Sequence, residues 1–158
     1  MSRLTLDTNV VVSGILWDGP PARLLDFARE GQCELVTSIA LLAELQRVLQ
    51  RPKFAAIVSA SQLSVDDLIM GYATLASVIR PSTIFPVILH DPADDQVLAC
   101  GLSAGVDMIV SGDSDLLSLR VHRGIMIVGP AEAVDCVSTP RRLRQTNGCY
   151  VARQQIEQ

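Results

Sequence analysis

The stretch DPADDQVLACGLSAGVDMIVSGDSDLL, residues 91–117, decides the fold of this chain. It opens with a turn signal, and the apolar residues after Asp94 and Asp95 are spaced as one face of a short helix. Gly105 is suited to end that helix, because glycine readily adopts the left-handed conformation at a helix C-terminus. The apolar run 108–110 then has the length and composition of a buried parallel strand.

A second helix start follows that strand. Ser111 and Asp113 turn directly off the strand, and Asp115 opens the next element. In an open α/β sheet, the helix starts lie along one edge, outside the carboxyl ends of the strands. Carboxylates at two helix starts are therefore expected on the same edge of the sheet.

The remaining chain alternates strand and helix signals. Further strands are predicted at 3–6, 33–36 and 125–128, with a strand or an extended connection at 87–89. Helices are predicted at 22–29, 38–51, 54–60 and 65–78, with a short helical or irregular segment at 10–16 and a last helical turn at 130–134. This alternation is typical of an α/β fold with a parallel sheet.

Composition and charge limit the class of protein. The chain has 158 residues, 49% of them hydrophobic, which favours one folded domain and excludes a disordered chain. We expect that domain to span residues 1–137, followed by a polar tail at 138–158 that either frays or docks a second subunit or nucleic acid. The net charge of −4 argues against coating DNA by bulk electrostatics, but carboxylates that hold a metal can still bind phosphates.

The sequence also bears on location and on cysteine chemistry. No apolar run reaches the roughly 20 residues that span a bilayer, and the N-terminus lacks the form of a signal peptide, so we expect a cytoplasmic protein with no membrane partner. The four cysteines have neither metal-knuckle nor redox-pair spacing, which favours reduced, packed thiols. They are Cys33, Cys100, Cys136 and Cys149.

Acidic residues recur at the predicted carboxyl edge. Asp7 follows the first strand, Glu44 lies two turns into the helix after the second, Asp94 and Asp95 begin the helix of the central stretch, and Asp113 follows its strand. Taken singly, each has a structural explanation as a turn residue, a helix-start residue or, for Glu44, an ion-pair partner on a helix surface. Jointly they predict one acidic crevice.

The charge of the predicted acidic crevice has to be neutralised by a cation from solution. No Lys or Arg lies between residues 87 and 119, and close carboxylates repel one another unless a positive charge sits between them. Oxygen ligands suit Mg²⁺ or Mn²⁺ rather than zinc, and His90 is better explained as a turn residue than as a ligand. Such a site is suited to phosphodiester hydrolysis.

Four motifs carry a family resemblance. LDTNV at 6–10, TS at 37–38 with Glu44, DPADD at 91–95 and VSGDSDLL at 110–117 resemble, in order and spacing, the motifs of the PIN-domain ribonucleases. The similarity is greatest to the bacterial branch of toxins from type II toxin–antitoxin pairs, which are related to VapC. It extends from about Leu4 to about Val134 and leaves the tail uncovered.

The resemblance implies a three-layer sandwich with a central parallel sheet of Rossmann-like topology. It also implies RNA cleavage that depends on Mg²⁺ or Mn²⁺, a cognate antitoxin protein and a homodimer or higher homo-oligomer. Carried over by position, the catalytic residues that also bind metal are Asp7, Glu44, Asp94 and Asp113. Asp95 stands where relatives often have Asn, and is expected either to share the third metal position or to support a neighbouring metal ligand by hydrogen bonding. Supporting hydrogen bonds or longer-range help are assigned to Thr8, Asn9, Ser38, Ser111 and Asp115.

Other functions remain open at this point. One is a PIN-like module that acts through protein contacts without catalysis, and another is a structure-specific DNA nuclease. A haloacid-dehalogenase-like phosphatase is disfavoured, because that chemistry needs a second Asp two positions after the first, where this chain has Asn9. It also needs a Lys that the central stretch lacks.

Overall fold

The computed structural model describes residues 1–81 and 92–139. The strands in this part of the chain are β1 (Ser2–Leu6), β2 (Cys33–Ser38), β3 (Ser77–Ile79), β4 (Met108–Val110), β5 (Val121–His122) and β6 (Ile125–Val128). The helices are α1 (Thr8–Leu16), α2 (Pro20–Arg29), α3 (Ile39–Leu49), α4 (Ala55–Ala60), α5 (Val65–Leu75), α6 (Pro92–Ala104), α7 (Ser114–Leu119) and α8 (Pro130–Ser138), with a 3-10 turn at Pro52–Phe54.

The strands form one sheet in the order β3-β2-β1-β4-β6-β5. Neighbouring strands run parallel from β3 to β6, and only β5 pairs in the antiparallel sense, with β6. Because β1 lies at the centre, the chain reverses its direction of travel across the sheet beside β1, where an open α/β sheet forms its crevice. The predicted α/β fold with a largely parallel central sheet is confirmed.

Helices cover both faces of the sheet, which gives the three-layer arrangement. Side chains alternate along each strand, so that Met108 and Val110 of β4 pack in one core and Ile109 packs in the other. The first core is closed by α1, α2, α5, α8 and the C-terminal half of α3, and the second by α6, α7 and the N-terminal end of α3. Both cores are mainly aliphatic, as expected from a chain with only 4% aromatic residues, and Phe27 and Tyr72 are the buried aromatic residues of the first core.

Element boundaries shift by one to a few residues in several places, and three differences change an element. The helix predicted at 65–78 ends at Leu75, and Ser77–Ile79 is instead the edge strand β3, which pairs with β2. The sequence concealed this break because Val78 continues the apolar spacing of the helix. The short strand β5 was also missed, and α8 continues to Ser138 rather than ending near Val134. The predicted extended segment at 87–89 lies outside the described residues.

The cysteines follow the prediction only in part. Cys33 and Cys100 are buried free thiols. Cys136 is disulfide-bonded, so the expectation of a reduced thiol is wrong for this residue, and Cys149 lies outside the described residues. Burial raises the pKa of Cys33 to about 11.

Across the described residues, no single helix has both the length and the hydropathy needed to cross a membrane. One strongly bent pair, Pro52–Ala60 with Val65–Leu75, meets the criterion by length and composition alone, which is weak evidence.

Candidate metal centre

The candidate site lies at the carboxyl ends of the two central strands. Leu6 of β1 is in register with Val110 of β4, and the amide of Asp7 continues the ladder by donating to the carbonyl of Val110 at 2.8 Å. One strand further, the amide of Ser111 donates to the carbonyl of Val128 at 3.0 Å. Asp7 and Ser111 are therefore the first residues beyond adjacent strands and lie side by side on the same edge.

A chain of hydrogen bonds connects these strand ends to the next helix. The hydroxyl of Ser111 donates to Oδ2 of Asp7 at 2.7 Å, and it accepts the amide of Asp113 at 3.0 Å. The other carboxylate oxygen of Asp7, Oδ1, accepts the amide of Thr8 at 2.7 Å and so caps α1. Because Asp7 is only 6% exposed, these contacts hold its carboxylate in one orientation inside the protein.

Asp113 forms the N-cap of α7. Its Oδ1 accepts the amides of Asp115 at 2.8 Å and Leu116 at 3.3 Å, as is usual for an aspartate that satisfies the free amides of a first helical turn. The cap places Asp115 in that same turn, on the exposed side. Since Oδ2 of Asp113 takes no part in the cap, the residue can hold the helix and still offer an oxygen to a ligand.

Three carboxylates meet in front of this turn. Asp94, Asp113 and Asp115 each offer an oxygen, and these oxygens lie within 4.8 Å of one another. Asp94 comes from the first turn of α6 and is only 3% exposed, whereas Asp113 is half-buried and Asp115 is exposed. We call these three residues the acidic cluster. It is thus open to solvent on one side and closed on the other.

The donor set of the acidic cluster fits a hard divalent cation. Carboxylate oxygens are the ligands that Mg²⁺ and Mn²⁺ prefer, and an exposed side leaves room for water and substrate oxygens. Close carboxylates are also destabilising to one another without a cation. Ion pairs elsewhere in the described chain, such as Arg3 with Glu34, lie away from this cluster.

The structure brings some of the predicted site residues into the acidic cluster and leaves others outside it. Asp94 and Asp113 lie in the acidic cluster, and Asp7 is connected to Asp113 through the Ser111 hydroxyl. Glu44, half-buried in the second turn of α3, and Asp95, half-buried in the first turn of α6, are not members of the cluster. Their assignment as metal ligands stays a prediction from the resemblance.

Asp115 is the one predicted site residue that lies closer to the candidate metal ligands than the sequence suggested. The sequence suggested help from a distance, but its carboxylate is part of the acidic cluster. The available signal was the spacing, because a residue two positions after an N-cap aspartate always lies in the first helical turn.

The remaining predicted residues have distinct surroundings. Ser38 is fully buried and caps α3 by accepting the amide of Leu41 at 3.3 Å. Thr8 is buried, and its hydroxyl forms no hydrogen bond with any other described residue. Asn9 is exposed on the first turn of α1.

Two side chains from helices packed on the sheet, Cys100 of α6 and Tyr72 of α5, are buried neutral groups. Cys100 of α6 faces β1, where the Thr5 hydroxyl contacts its Sγ at 3.9 Å, and burial raises the pKa of its thiol despite hydrogen bonds that lower it. Burial also raises the pKa of Tyr72 well above its usual value. The negative charge in this region therefore comes from the carboxylates and not from the thiol or the phenol.

Comparison with known proteins supplies the family. No curated protein shows significant similarity to the chain. The family model of the PIN domain matches residues 3–115, which include β1, Asp7, Glu44 and all three carboxylates of the acidic cluster. The match covers well over half of the 158 residues, and the protein therefore belongs to the PIN-domain family.

Proposed function

We propose that this protein is an endoribonuclease that depends on Mg²⁺ or Mn²⁺ and hydrolyses phosphodiester bonds in RNA. PIN domains are typically metal-dependent nucleases with an acidic site. The observation that carries the proposal is the acidic cluster of Asp94, Asp113 and Asp115, with Asp7 fixed beside it through Ser111. RNA as the substrate rests on the resemblance in the four motifs.

Each carboxylate has a role in this proposal. Asp94, Asp113 and Asp115 would hold the metal, while Asp7 adds negative charge at the same edge in an orientation set by Ser111 and the Thr8 amide. When bound, a divalent ion supplies positive charge to the scissile phosphate and lowers the pKa of nearby water. The exposed side of the cluster, at Asp115, is where a phosphate can approach.

Burial of two of the acids favours this chemistry. Asp7 and Asp94 are almost fully buried, so their charges are poorly screened by solvent and attract a cation more strongly than surface carboxylates do. Their positions are also set by the sheet and by α6, so that the site needs little rearrangement when substrate binds. Glu44, in the second turn of α3, would complete the site by binding metal or orienting water.

The proposal extends to the biological role. The resemblance to VapC-related proteins supports a toxin restrained by a cognate antitoxin, acting in the cytoplasm as a homodimer or higher homo-oligomer. Long helices such as α3 and α5 offer surface for that association. Exposed Ile39 and Met70 on these helices are consistent with it.

The direct test is RNA cleavage by purified protein in Mg²⁺ or Mn²⁺, compared with chelator. We expect the wild type to cut RNA hairpins only with metal, and Asp113→Asn to lose at least about 100-fold in rate, as for removal of a group that stabilises a transition-state charge. Asp66→Asn is the matched control, because Asp66 is an exposed acid in the first turn of α5.

The outcomes separate the alternatives. Cleavage of DNA flaps but not RNA would identify DNA, rather than RNA, as the substrate. Equal activity in Asp113→Asn and wild type would refute the assigned site. A protein that cuts neither nucleic acid would be a non-catalytic module. For the toxin role, induced expression should arrest growth with wild type and not with Asp113→Asn, and a co-expressed antitoxin should restore growth.

A further inference from the structure

A second surface of this molecule combines aromatic and basic side chains away from the acidic cluster. Its members are Trp17, at the C-terminal end of α1, together with Arg51, Lys53 and Phe54 of the segment after α3, and Arg47 in the last turn of α3. We call these five residues the aromatic–basic patch. The only tryptophan and the only lysine of the chain lie in it, and both contact Phe54.

The rings and the lysine are in contact. Trp17 and Phe54 pack edge to face with their centroids 5.9 Å apart and their planes at 65°. The Lys53 ammonium lies 4.9 Å from the centroid of the Phe54 ring. Trp17 is nevertheless 46% exposed. Contacts with Phe54 thus restrain Trp17 and Lys53, while much of the indole faces solvent.

The charge of this region is opposite to that of the protein. Between Glu44 and Asp66 the chain contains three cations, Arg47, Arg51 and Lys53, and no carboxylate. All three cations are exposed, in a protein whose net charge is −4. The acid nearest to the patch in sequence is Asp18, which follows Trp17. A ligand of this surface is therefore expected to carry negative charge together with a flat apolar group.

The aromatic–basic patch lies at the far ends of two helices that begin at the edge of the sheet carrying the candidate site. α1 and α3 are capped at that edge by Asp7 and Ser38, and the patch lies at their opposite ends. At a rise of 1.5 Å per residue, α1 separates Trp17 from Asp7 by about 15 Å. About four stacked nucleotides span that distance at a rise of 3.4 Å.

We propose that the aromatic–basic patch binds single-stranded RNA that flanks the cleavage site, with a base stacked on Trp17 and phosphates contacted by Lys53, Arg51 and Arg47. The inference rests on the proposed function for its substrate. Stacking on an exposed ring and contact of the backbone with cations are the two elements of single-strand binding, and they tolerate any sequence. The acidic cluster alone would repel the phosphates of a long substrate, and the patch offsets that repulsion at a distance.

Trp17 gives the test a built-in probe, since it is the only tryptophan. The Asp113→Asn protein is titrated in chelator with an oligouridylate of about 10 nucleotides, within the usual site size of single-strand binders. We expect saturable quenching of the Trp17 emission, with an affinity that falls as salt is raised. Absence of quenching would overturn the proposal.

Variants identify the residues, with binding followed by anisotropy of a labelled oligouridylate. Trp17→Ala should weaken binding at least about 5-fold, whereas Trp17→Phe, which keeps a ring, should restore most of it. Lys53→Gln should weaken binding and reduce the salt dependence, whereas Arg29→Gln, which removes an exposed cation of α2, should do neither. Equal affinities in all four variants would overturn the proposal, with thermal melting confirming that each is folded.

Two other results are informative. If the Trp17 emission changes with protein concentration in the absence of RNA, and Trp17→Ala is monomeric where the parent is dimeric, the patch is a contact between copies and the proposal fails. Because the titration excludes metal and uses a variant without cleavage activity, it is independent of the nuclease assay. RNA binding without cleavage in the wild type would contradict the proposed function and leave the patch assignment intact.

Discussion

The Ser111 hydroxyl donates a 2.7 Å hydrogen bond to Oδ2 of Asp7 and joins the ends of the two central strands. The two residues are 104 positions apart in sequence, and both are buried. The same hydroxyl accepts the amide of Asp113. One small polar side chain therefore sets the orientation of a buried carboxylate and the start of the helix that carries two members of the acidic cluster.

Replacing Ser111 with alanine should affect both stability and metal binding. The change removes one hydrogen bond from a buried carboxylate oxygen of Asp7 and one from the Asp113 amide, which should lower the free energy of unfolding by about 1–3 kcal/mol. Loss of a group that orients metal-site residues should weaken Mn²⁺ binding by about 10–100-fold. Ser138→Ala, which removes an exposed hydroxyl from α8, is the control. Unchanged Mn²⁺ affinity in Ser111→Ala would contradict this role.

Asp113 combines a cap with a carboxylate, and two substitutions separate these roles. Asparagine is as good an N-cap as aspartate, so Asp113→Asn should melt close to the wild type while losing metal-dependent cleavage. Asp113→Ala should lose the activity and also about 1 kcal/mol of stability, because the amides of Asp115 and Leu116 lose their acceptor. Chemical denaturation of both variants checks the difference, and equal stability would show that the cap contributes nothing.

Two helical glycines should respond in opposite directions to alanine. A Cβ at Gly14 would lie 2.9 Å from the carbonyl oxygen of Pro21 and 3.0 Å from Leu25, where α1 and α2 approach closely. Gly14→Ala should therefore destabilise the protein by about 1–3 kcal/mol. A Cβ at Gly71 of α5 meets nothing within 4 Å, and Gly71→Ala should stabilise by about 0.5–1 kcal/mol. Urea denaturation gives both values, and a stabilised Gly14→Ala would contradict the close approach.

Alkaline pH should destabilise the fold through a buried thiol. Burial raises the pKa of Cys33 to about 11, while the pKa of a cysteine in the unfolded chain is about 8.5. The folded state therefore holds the proton more tightly, so its stabilising effect is complete below the unfolded pKa and is lost as the pH rises through the folded pKa. The free energy of unfolding should decline from about pH 8.5 to pH 11.

The Cys33→Val variant isolates the contribution of that thiol. Burial also raises the pKa values of Cys100 and Tyr72, and their effect is common to both proteins. The decline should be less steep in Cys33→Val than in the wild type, as measured by denaturation at a series of pH values. Parallel profiles would show that Cys33 does not contribute.

Local sequence signals were sufficient for the core of the fold. Val110 ends a strand where an uninterrupted apolar run meets a turn, and Ser38 begins a helix as a good N-cap residue, so both boundaries are determined by nearby residues. The edge strand β3 was missed because its pairing partner, β2, is about 40 residues away. Spacing within the segment could not distinguish a helix from a strand that is stabilised only by that pairing.

The candidate site shows the same limit. Asp7, Asp94 and Asp113 could be placed on one edge from the order of strands and helices alone. Whether a given carboxylate joins the acidic cluster depends on the conformation of the turn at each helix start. For this reason Asp115 lies in the cluster, although the sequence predicted a more distant role. The bond between Ser111 and Asp7 depends on the pairing of β1 with β4, which no stretch of sequence contains by itself.

The most direct test of the account is Mn²⁺ binding measured by calorimetry on the wild type, Asp94→Asn and Asp113→Asn, with Asp66→Asn as control. We predict saturable binding to the wild type and to Asp66→Asn, and binding at least about 10-fold weaker in the other two, because each loses one charged ligand of the acidic cluster. Equal Mn²⁺ affinity in all four proteins, or no Mn²⁺ binding to the wild type, would contradict the assignment of this cluster as the metal centre.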